Sequence, residues 1–306
     1  AKRAIEIAVA GAHNLIMIGP PGVGKTMLAK RIPTIMPPLS YKEKLALTRI
    51  QSIIGKIDLK KGLQNRRPFR TPHHSITKAG MLGGGKIPVP GEVSLAHTGV
   101  LFLDEIAEYK REVLELLRQP LEEKEITISR TALKVNFPCD FILIASSNPC
   151  PCGYYGDERR ECNCTVGQIK RYRNKISGPL MDRIDLQIEV PSLKADELTA
   201  FKKGDSSKIM KKRVMKAYNI QKNRYESENF DYNSQLKGDK LNYYCQLNNE
   251  DKLLLKNAVR ELGLSARAYD RIIRVARTIA DIENSQTITS DHLAEAIQYR
   301  RFESNI

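Results

Sequence analysis

The sequence predicts an α/β fold, a parallel sheet covered by helices, followed by a small all-α domain. Three observations predict it. The octet Gly19-Pro20-Pro21-Gly22-Val23-Gly24-Lys25-Thr26 sits between a short apolar run, Leu15-Ile16-Met17-Ile18, and a good helix start at Met27-Leu28-Ala29. A second apolar run, Val100-Leu101-Phe102-Leu103, ends in Asp104-Glu105, and Phe141 to Ala145 and Leu186 to Val190 are apolar runs of the same kind. Such runs have the length and continuity of buried strands. From Glu250 onward the apolar residues recur at helical spacing.

Composition bounds the rest. The chain has 306 residues, room for one large or two modest domains, and at 41% hydrophobic it can bury a proper core. Its longest apolar runs are too short to span a bilayer. No signal peptide is visible and position 1 is Ala, so the chain reads as a cytoplasmic piece of a longer protein. Fifty Lys and Arg against 35 Asp and Glu leave a net charge of +15. That excess points to a polyanionic partner such as nucleic acid, or to a solvated basic surface.

The elements follow in order. Ala1 to Ala12 forms a helix whose apolar face is Ala4, Ile5, Ala8 and Val9. The octet reads G-x-x-x-x-G-K-T, a phosphate-binding loop. Its glycines let the backbone turn N–H groups toward phosphate at the positive end of the next helix. Lys25 would reach the β- and γ-phosphates and the Thr26 hydroxyl would help hold Mg²⁺. Pro37-Pro38 ends that helix, and residues 41–57 are helical again. In Arg66-Arg67-Pro68-Phe69-Arg70-Thr71-Pro72-His73-His74, a strand or loop, the paired histidines find no third ligand at metal spacing, and the arginines could touch phosphate. Gly80 to Gly91 reads as a long, flexible glycine-rich loop carrying Lys86.

Asp104 and Glu105 end a buried strand 78 residues after the phosphate loop. There Asp104 would hold Mg²⁺ through water and Glu105 would polarise the attacking water. Glu112 to Leu121 is a helix. Glu125 to Arg130 and Leu133 to Phe137 alternate around Thr131-Ala132, a β-hairpin with Arg130 and Lys134 near its tip. Asn148 follows the strand 141–145 and either orients the attacking water or caps a turn before Pro149. Cys150-Pro151-Cys152 and Cys162-Asn163-Cys164 can close a tetrahedral Zn²⁺ site. A redox pair or four unrelated thiols are the alternatives. Cys139 and Cys245 read as buried bystanders. A basic patch (Lys170, Arg171, Arg173, Lys175) precedes Arg183 and the last strand. The chain divides into a nucleotide-binding domain at 1–191, a connector with a basic helix at 192–240, rich in Lys (Lys202, Lys203, Lys208, Lys211, Lys212, Lys216), and a helical domain at 241–306. Ser265-Ala266-Arg267 opens one of its helices and Thr289 to His292 caps another.

Gly19 to Thr26, Leu101 to Glu105, Asn148, Arg183 and Arg267 fall in the order Walker A, Walker B, sensor 1, arginine finger and sensor 2, so the chain resembles an AAA+ ATPase. The finer resemblance is to the magnesium-chelatase-like branch and its YifB/ComM family. It rests on Ala1-Lys2-Arg3-Ala4, Arg67 to His74, Pro90 to His97, and Ser147-Asn148-Pro149-Cys150-Pro151-Cys152-Gly153, and covers essentially the whole chain. The resemblance implies a three-layer sheet of order 5-1-4-3-2 and a helical lid domain. It implies an ATP contact set of Gly19, Pro20, Pro21, Gly22, Val23, Gly24, Lys25, Thr26, Met27 and Asp104, with Mg²⁺ as cofactor. It further implies a hexameric ring acting on single-stranded or branched DNA, a helicase or branch-migration factor of recombination or natural transformation. The insert carrying Lys86 and the hairpin carrying Arg130 and Lys134 would face the pore. Family members also carry an N-terminal Lon-protease-like domain and a Gly-Gln pair ahead of position 1, neither of which is in this sequence. A chelatase-type chaperone for metal insertion and a regulatory ATPase of a Lon-like protein are the competing readings.

Overall fold

The computed structural model describes residues 1–56, 62–130, 133–192 and 204–300. Five strands form a parallel sheet: β1 (Leu15–Ile18), β2 (Phe69–Arg70), β5 (Val100–Leu103), β8 (Ile142–Ser147) and β9 (Leu186–Glu189), in the order β2-β5-β8-β1-β9. Counted along the chain this is 5-1-4-3-2, the expected order. Registers are in step: Leu15 lies opposite both Ile144 and Leu186, and Leu103 opposite Ala145. Glycine-rich or acidic segments therefore leave β1, β5 and β8 side by side at one edge of the sheet. Open parallel sheets place their ligands at that edge.

Alternation with period two divides the strands between two cores. Leu15, Met17, Val100 and Phe102 face one side, where they pack with α1 (Lys2–Gly11) and α2 (Lys25–Ile35). Ile16, Leu101, Leu103 and Leu143 face the other, with Met81, Val113, Leu117, Ile126 and Leu180. The sheet is thus the middle of three layers, and a helical region follows it.

Several local readings change. The glycine-rich segment is ordered as α4 (Lys78–Leu82), a two-residue hairpin of β3 (Gly83–Gly84) and β4 (Val89–Pro90), and α5 (Glu92–Leu95). The hairpin closes because a side chain at Gly91 would stand 2.4 Å from the Gly83 nitrogen, and Gly83, Gly84 and Gly85 all take positive φ. The expected helix 112–121 is two, α6 (Arg111–Glu115) and α7 (Arg118–Glu123). Pro120 has no N–H to continue a helix from α6, and it is tolerated in the first turn of α7. Thr131-Ala132, Lys202 and Lys203 lie outside the described residues.

The segment after β9 contains α10 (Ser207–Arg224), 18 residues long. It is a packed helix: Met210, Val214, Ala217 and Gln221 are buried against α1 and α2, while Lys208, Lys211, Lys212 and Lys216 stay exposed. Three further helices with side-chain caps follow: Asn249–Glu261 capped by Asn248, Ala266–Ile282 capped by Ser265, and Ser290–Gln298 with a Thr289–His292 capping box. The second packs on α1 and α10 through Ile272, Val275, Ala276 and Ile279. A buried polar network also ties it down: Asp281 takes both Arg224 and Asn233, and Thr278 meets His13 at 2.8 Å. Among the described residues no helix is long and apolar enough to cross a membrane.

Candidate nucleotide site

Gly24 caps α2 in the left-handed region (φ 87°), and Gly22 is left-handed as well (φ 79°), so the loop needs glycine at both positions. Gly19 starts the turn with no space to spare, because a Cβ there would stand 2.2 Å from the Val190 carbonyl. The loop's amides are thereby gathered at the N-terminus of an 11-residue helix, the positive end of its dipole. Lys25 is buried, and its ammonium donates to the Gly19 (2.6 Å) and Pro20 (2.8 Å) carbonyls. Burial lowers its pKa, opposed by the Asp104 and Glu105 carboxylates.

The acidic pair joins the loop as expected. Thr26 Oγ1 donates to Asp104 Oδ2 at 2.8 Å. Asn148 Oδ1 stands 3.4 Å from Lys25 Nζ. Glu105 is exposed and takes a left-handed backbone (φ 51°), a strained choice for a residue with a side chain. What holds it there is Ser146, a residue the sequence reading gave no role. The Glu105 amide donates to Ser146 Oγ at 2.9 Å, and that hydroxyl donates to Asp104 Oδ1 at 2.5 Å. The signal was present in the register: with Leu103 opposite Ala145, the next residues along are Asp104 and Ser146.

Arg183 and Arg267 are not at this edge. β9 runs parallel to β1 from Leu186 opposite Leu15, so Arg183 lies at the other end of the sheet from Gly19. There it is buried, pinned to the Glu122 carboxylate and the Pro179 carbonyl, with Nε unpartnered. Arg267 is exposed in the first turn of its helix, with Nη1 4.0 Å from Asp182 Oδ2. Both arginines line one cavity of about 630 Å³, with Arg271, Arg274 and Asp185. Burial acts on Asp185 to raise its pKa, but Arg271 at 2.6 Å and His13 outweigh it and hold the carboxyl far below the ordinary range.

The four clustered cysteines do meet: the sulfurs of Cys150, Cys152, Cys162 and Cys164 lie within 4.8 Å of one another, and the closest pairs are 3.3 to 3.7 Å apart. Four thiolates about 2.3 Å from one zinc stand roughly 3.8 Å apart, so the set fits a tetrahedral ion. Cys139 and Cys245 are buried apart from it, their thiols pushed up to about 12 by burial.

Arg67 and Arg70, open to a phosphate role in the sequence, have structural partners. Arg67 donates to the Pro37 and Thr98 carbonyls and to Glu43, and Arg70 grips Glu92 through two 2.6 Å bonds. His73 and His74 are exposed, their rings tilted at 35° to each other with centroids 4.0 Å apart. Lys86 is exposed at the turn of the β3–β4 hairpin, and Lys134 is exposed on β7 (Leu133–Pro138), which pairs with β6 (Glu125–Arg130). Arg130 lies opposite Leu133. The two hairpins touch: a Cβ on Gly83 would stand 2.8 Å from Ile128 Cδ1.

Fold and site together define a P-loop nucleotide-binding protein of the AAA+ class. The family "Magnesium chelatase, subunit ChlI" matches residues 1–198, and its C-terminal counterpart matches residues 204–300. This chain belongs to that magnesium-chelatase-like family. It is 47% identical over 98% of its length to the uncharacterized protein YifB of Salmonella typhimurium and 46% identical, over the same share, to the competence protein ComM of Haemophilus influenzae. The chain spans 58% of the length of each. The chloroplastic magnesium-chelatase subunit ChlI-2 of Arabidopsis thaliana is more distant, 23% identical over 82% of this chain and 53% of that protein.

Proposed function

We propose that this chain is the ATP-hydrolysing part of a ring-forming motor that acts on DNA. The observation that carries the ATPase reading is the joint between Thr26, Asp104, Ser146 and Glu105, bonded at 2.5 to 2.9 Å beside the phosphate loop. Thr26 and Asp104 are the residues that would hold Mg²⁺, which when bound neutralises charge on the phosphate oxygens. The loop amides and Lys25 bind the β- and γ-phosphates, Glu105 polarises the attacking water, and Asn148 orients it. Arg183 and Arg267, at the far end of the sheet, serve the nucleotide of a neighbouring copy, which makes assembly, as a hexamer, part of the site.

The DNA reading is supported by the net charge of +15, by the two touching hairpins with Lys86, Arg130 and Lys134, and by a relative named for competence. Phosphate contacts by these residues would be independent of sequence and steeply dependent on salt. The four cysteines hold one structural Zn²⁺. Elemental analysis of protein purified without chelator gives one zinc per chain on this reading and none if the cluster is idle.

The likeness to a magnesium-chelatase subunit favours a second reading, a chaperone that drives metal insertion through a protein partner. ATP turnover measured with and without single-stranded and branched DNA separates the two. Stimulation by DNA supports the motor. Turnover indifferent to DNA at low salt, where phosphate contacts are strongest, rejects it.

A further inference from the structure

The loop that carries the cysteines, between β8 and α8 (Val166–Arg173), rests on the phosphate loop itself. Gly153, in the left-handed region (φ 86°), lies against Pro21: a Cβ there would stand 2.9 Å from Pro21 Cδ and 3.9 Å from Asn148 Cγ. A cavity of about 310 Å³ separates the rest of the loop from the start of the phosphate loop, with Gly19 and Pro20 on one wall and Tyr155, Asp157 and Arg159 on another. The loop is moored on its far side as well. Ser192, just past β9, donates to Asp157 Oδ2 at 3.0 Å and accepts from Arg159 Nη2 at 2.5 Å. Asp157 Oδ1 also takes the Arg159 amide at 2.9 Å.

The cysteine cluster closes this arrangement. Cys150, fully buried, comes two residues after Asn148, and Cys162 and Cys164 come after Arg159. Gly153, which lies against Pro21, and Asp157 and Arg159, which bond Ser192, therefore all lie inside the span the four sulfurs tie together. Without that tie, Pro21 and Asn148 lose a rigid neighbour.

Building on the nucleotide-site reading, we infer that the four-cysteine loop positions the nucleotide site: with its metal bound it holds Pro20-Pro21 and Asn148 in the phosphate-binding geometry. Gly153, Asp157 and Ser192 are positioning residues. The loop acts through the phosphate loop and touches no reacting atom. A displacement on the order of 1 Å at such a site costs up to about a hundredfold in function.

The experiment is the affinity for a fluorescent ATP analogue, with zinc content and thermal melting followed in parallel. Zinc-loaded Gly153→Ala is expected to bind the analogue roughly ten- to a hundredfold more weakly than the parent, with one zinc still bound. Ser192→Ala is expected to shift affinity in the same direction by less, and Ser192→Thr, which keeps the hydroxyl, to restore it. Stripping zinc with a chelator should weaken binding, and re-adding zinc alone should recover it. Parental affinity in both Gly153→Ala and the zinc-free protein, with Lys25→Ala still binding more weakly than the parent, overturns the inference and leaves the nucleotide site standing. If Lys25→Ala binds like the parent, the nucleotide site itself is misassigned and the inference falls with it. If the zinc-free protein unfolds, Gly153→Ala and the Ser192 pair decide.

Discussion

At the end of the sheet where β1, β5 and β8 finish, Lys25, Thr26, Asp104, Ser146 and Asn148 are linked to one another or to loop carbonyls at 2.5 to 3.4 Å. At the opposite end, six cationic and four acidic side chains border a cavity of about 630 Å³, and one of the cations, Arg183, keeps an unpartnered buried Nε. In the first region these side chains are already joined to one another and to the loop. The second carries more positive charge than its own chain neutralises. A parallel sheet forces this separation, because all its strands point the same way and the residues entering β9 cannot reach those leaving β1. On the reading proposed above, the two edges of one chain are the two halves of a ring's sites, since each edge can face its complement on a neighbour.

The largest effects should come from breaking the first region. Lys25→Ala is expected to abolish ATP turnover and weaken nucleotide binding. Glu105→Gln should bind nucleotide normally and hydrolyse it on the order of 10²–10⁴ times more slowly, because only water activation is lost. Titration of a fluorescent nucleotide beside a phosphate-release assay separates the two, and equal turnover by Glu105→Gln and the parent would sink the assignment.

The opposite edge is tested through Asp185. Asp185→Asn leaves Arg271 without its carboxylate and should cost about 3–5 kcal/mol, the usual loss when one partner of a buried pair is removed. The folded carboxyl titrates well below its unfolded value, near 4. Its stabilisation is therefore present in full above about pH 4 and is lost progressively as pH falls from there through the folded value. Urea midpoints of parent and variant, measured from pH 7 down to pH 3, should keep a constant gap down to about pH 4 and begin to approach one another below it, without meeting. Parallel curves would mean that Asp185 is not the anchor of this edge.

Ser146→Ala sharpens the comparison within the first edge. It removes the hydroxyl shared by Asp104 and the Glu105 amide, a loss of about 1–3 kcal/mol, so turnover should fall roughly tenfold with nucleotide affinity little changed. A variant as active as the parent would mean that Glu105 keeps its left-handed backbone without help. The smallest effect is expected outside both edges. Arg130→Ala with Lys134→Ala should lower DNA affinity and flatten its salt dependence by about 0.9 in log–log slope per phosphate contact removed, leaving basal turnover intact. An unchanged slope would show that this hairpin is not the grip.

The two edges also differ in how far the sequence discloses them. The phosphate loop, Asp104-Glu105 and Asn148 are local signals, each following an apolar run, and parallel pairing brings them to one edge. The C-x-C pairs are legible for a similar reason, since thiols so close along one loop have little freedom to stay apart. Ser146 went unread because its role depends on inter-strand register, which a single run cannot show. The contact of Gly153 with Pro21 is between segments more than a hundred residues apart, and a glycine in a loop has many reasons to be there. The glycine-rich insert looked flexible because glycine adds freedom to the unfolded chain, yet here it permits a close hairpin crossing. α10 reads in the sequence as a connector with a basic helix; its packing on α1 and α2 through Met210, Val214 and Ala217 depends on tertiary contacts that spacing alone does not show.

The central claim, that each complete site takes its arginines from a neighbour, has a direct test. Arg183→Ala and Lys25→Ala are each expected to be inactive alone, since an arginine supplied to the transferring phosphate is worth about 10³–10⁵ in rate where it has been measured in GTPases. Mixed under assembling conditions, they form interfaces that join an intact phosphate loop to an intact Arg183. ATP turnover by the mixture is predicted to rise above the sum of the two variants, to a measurable fraction of the parent rate. A mixture that assembles, by sedimentation, and yet hydrolyses no more ATP than its components would contradict the shared site.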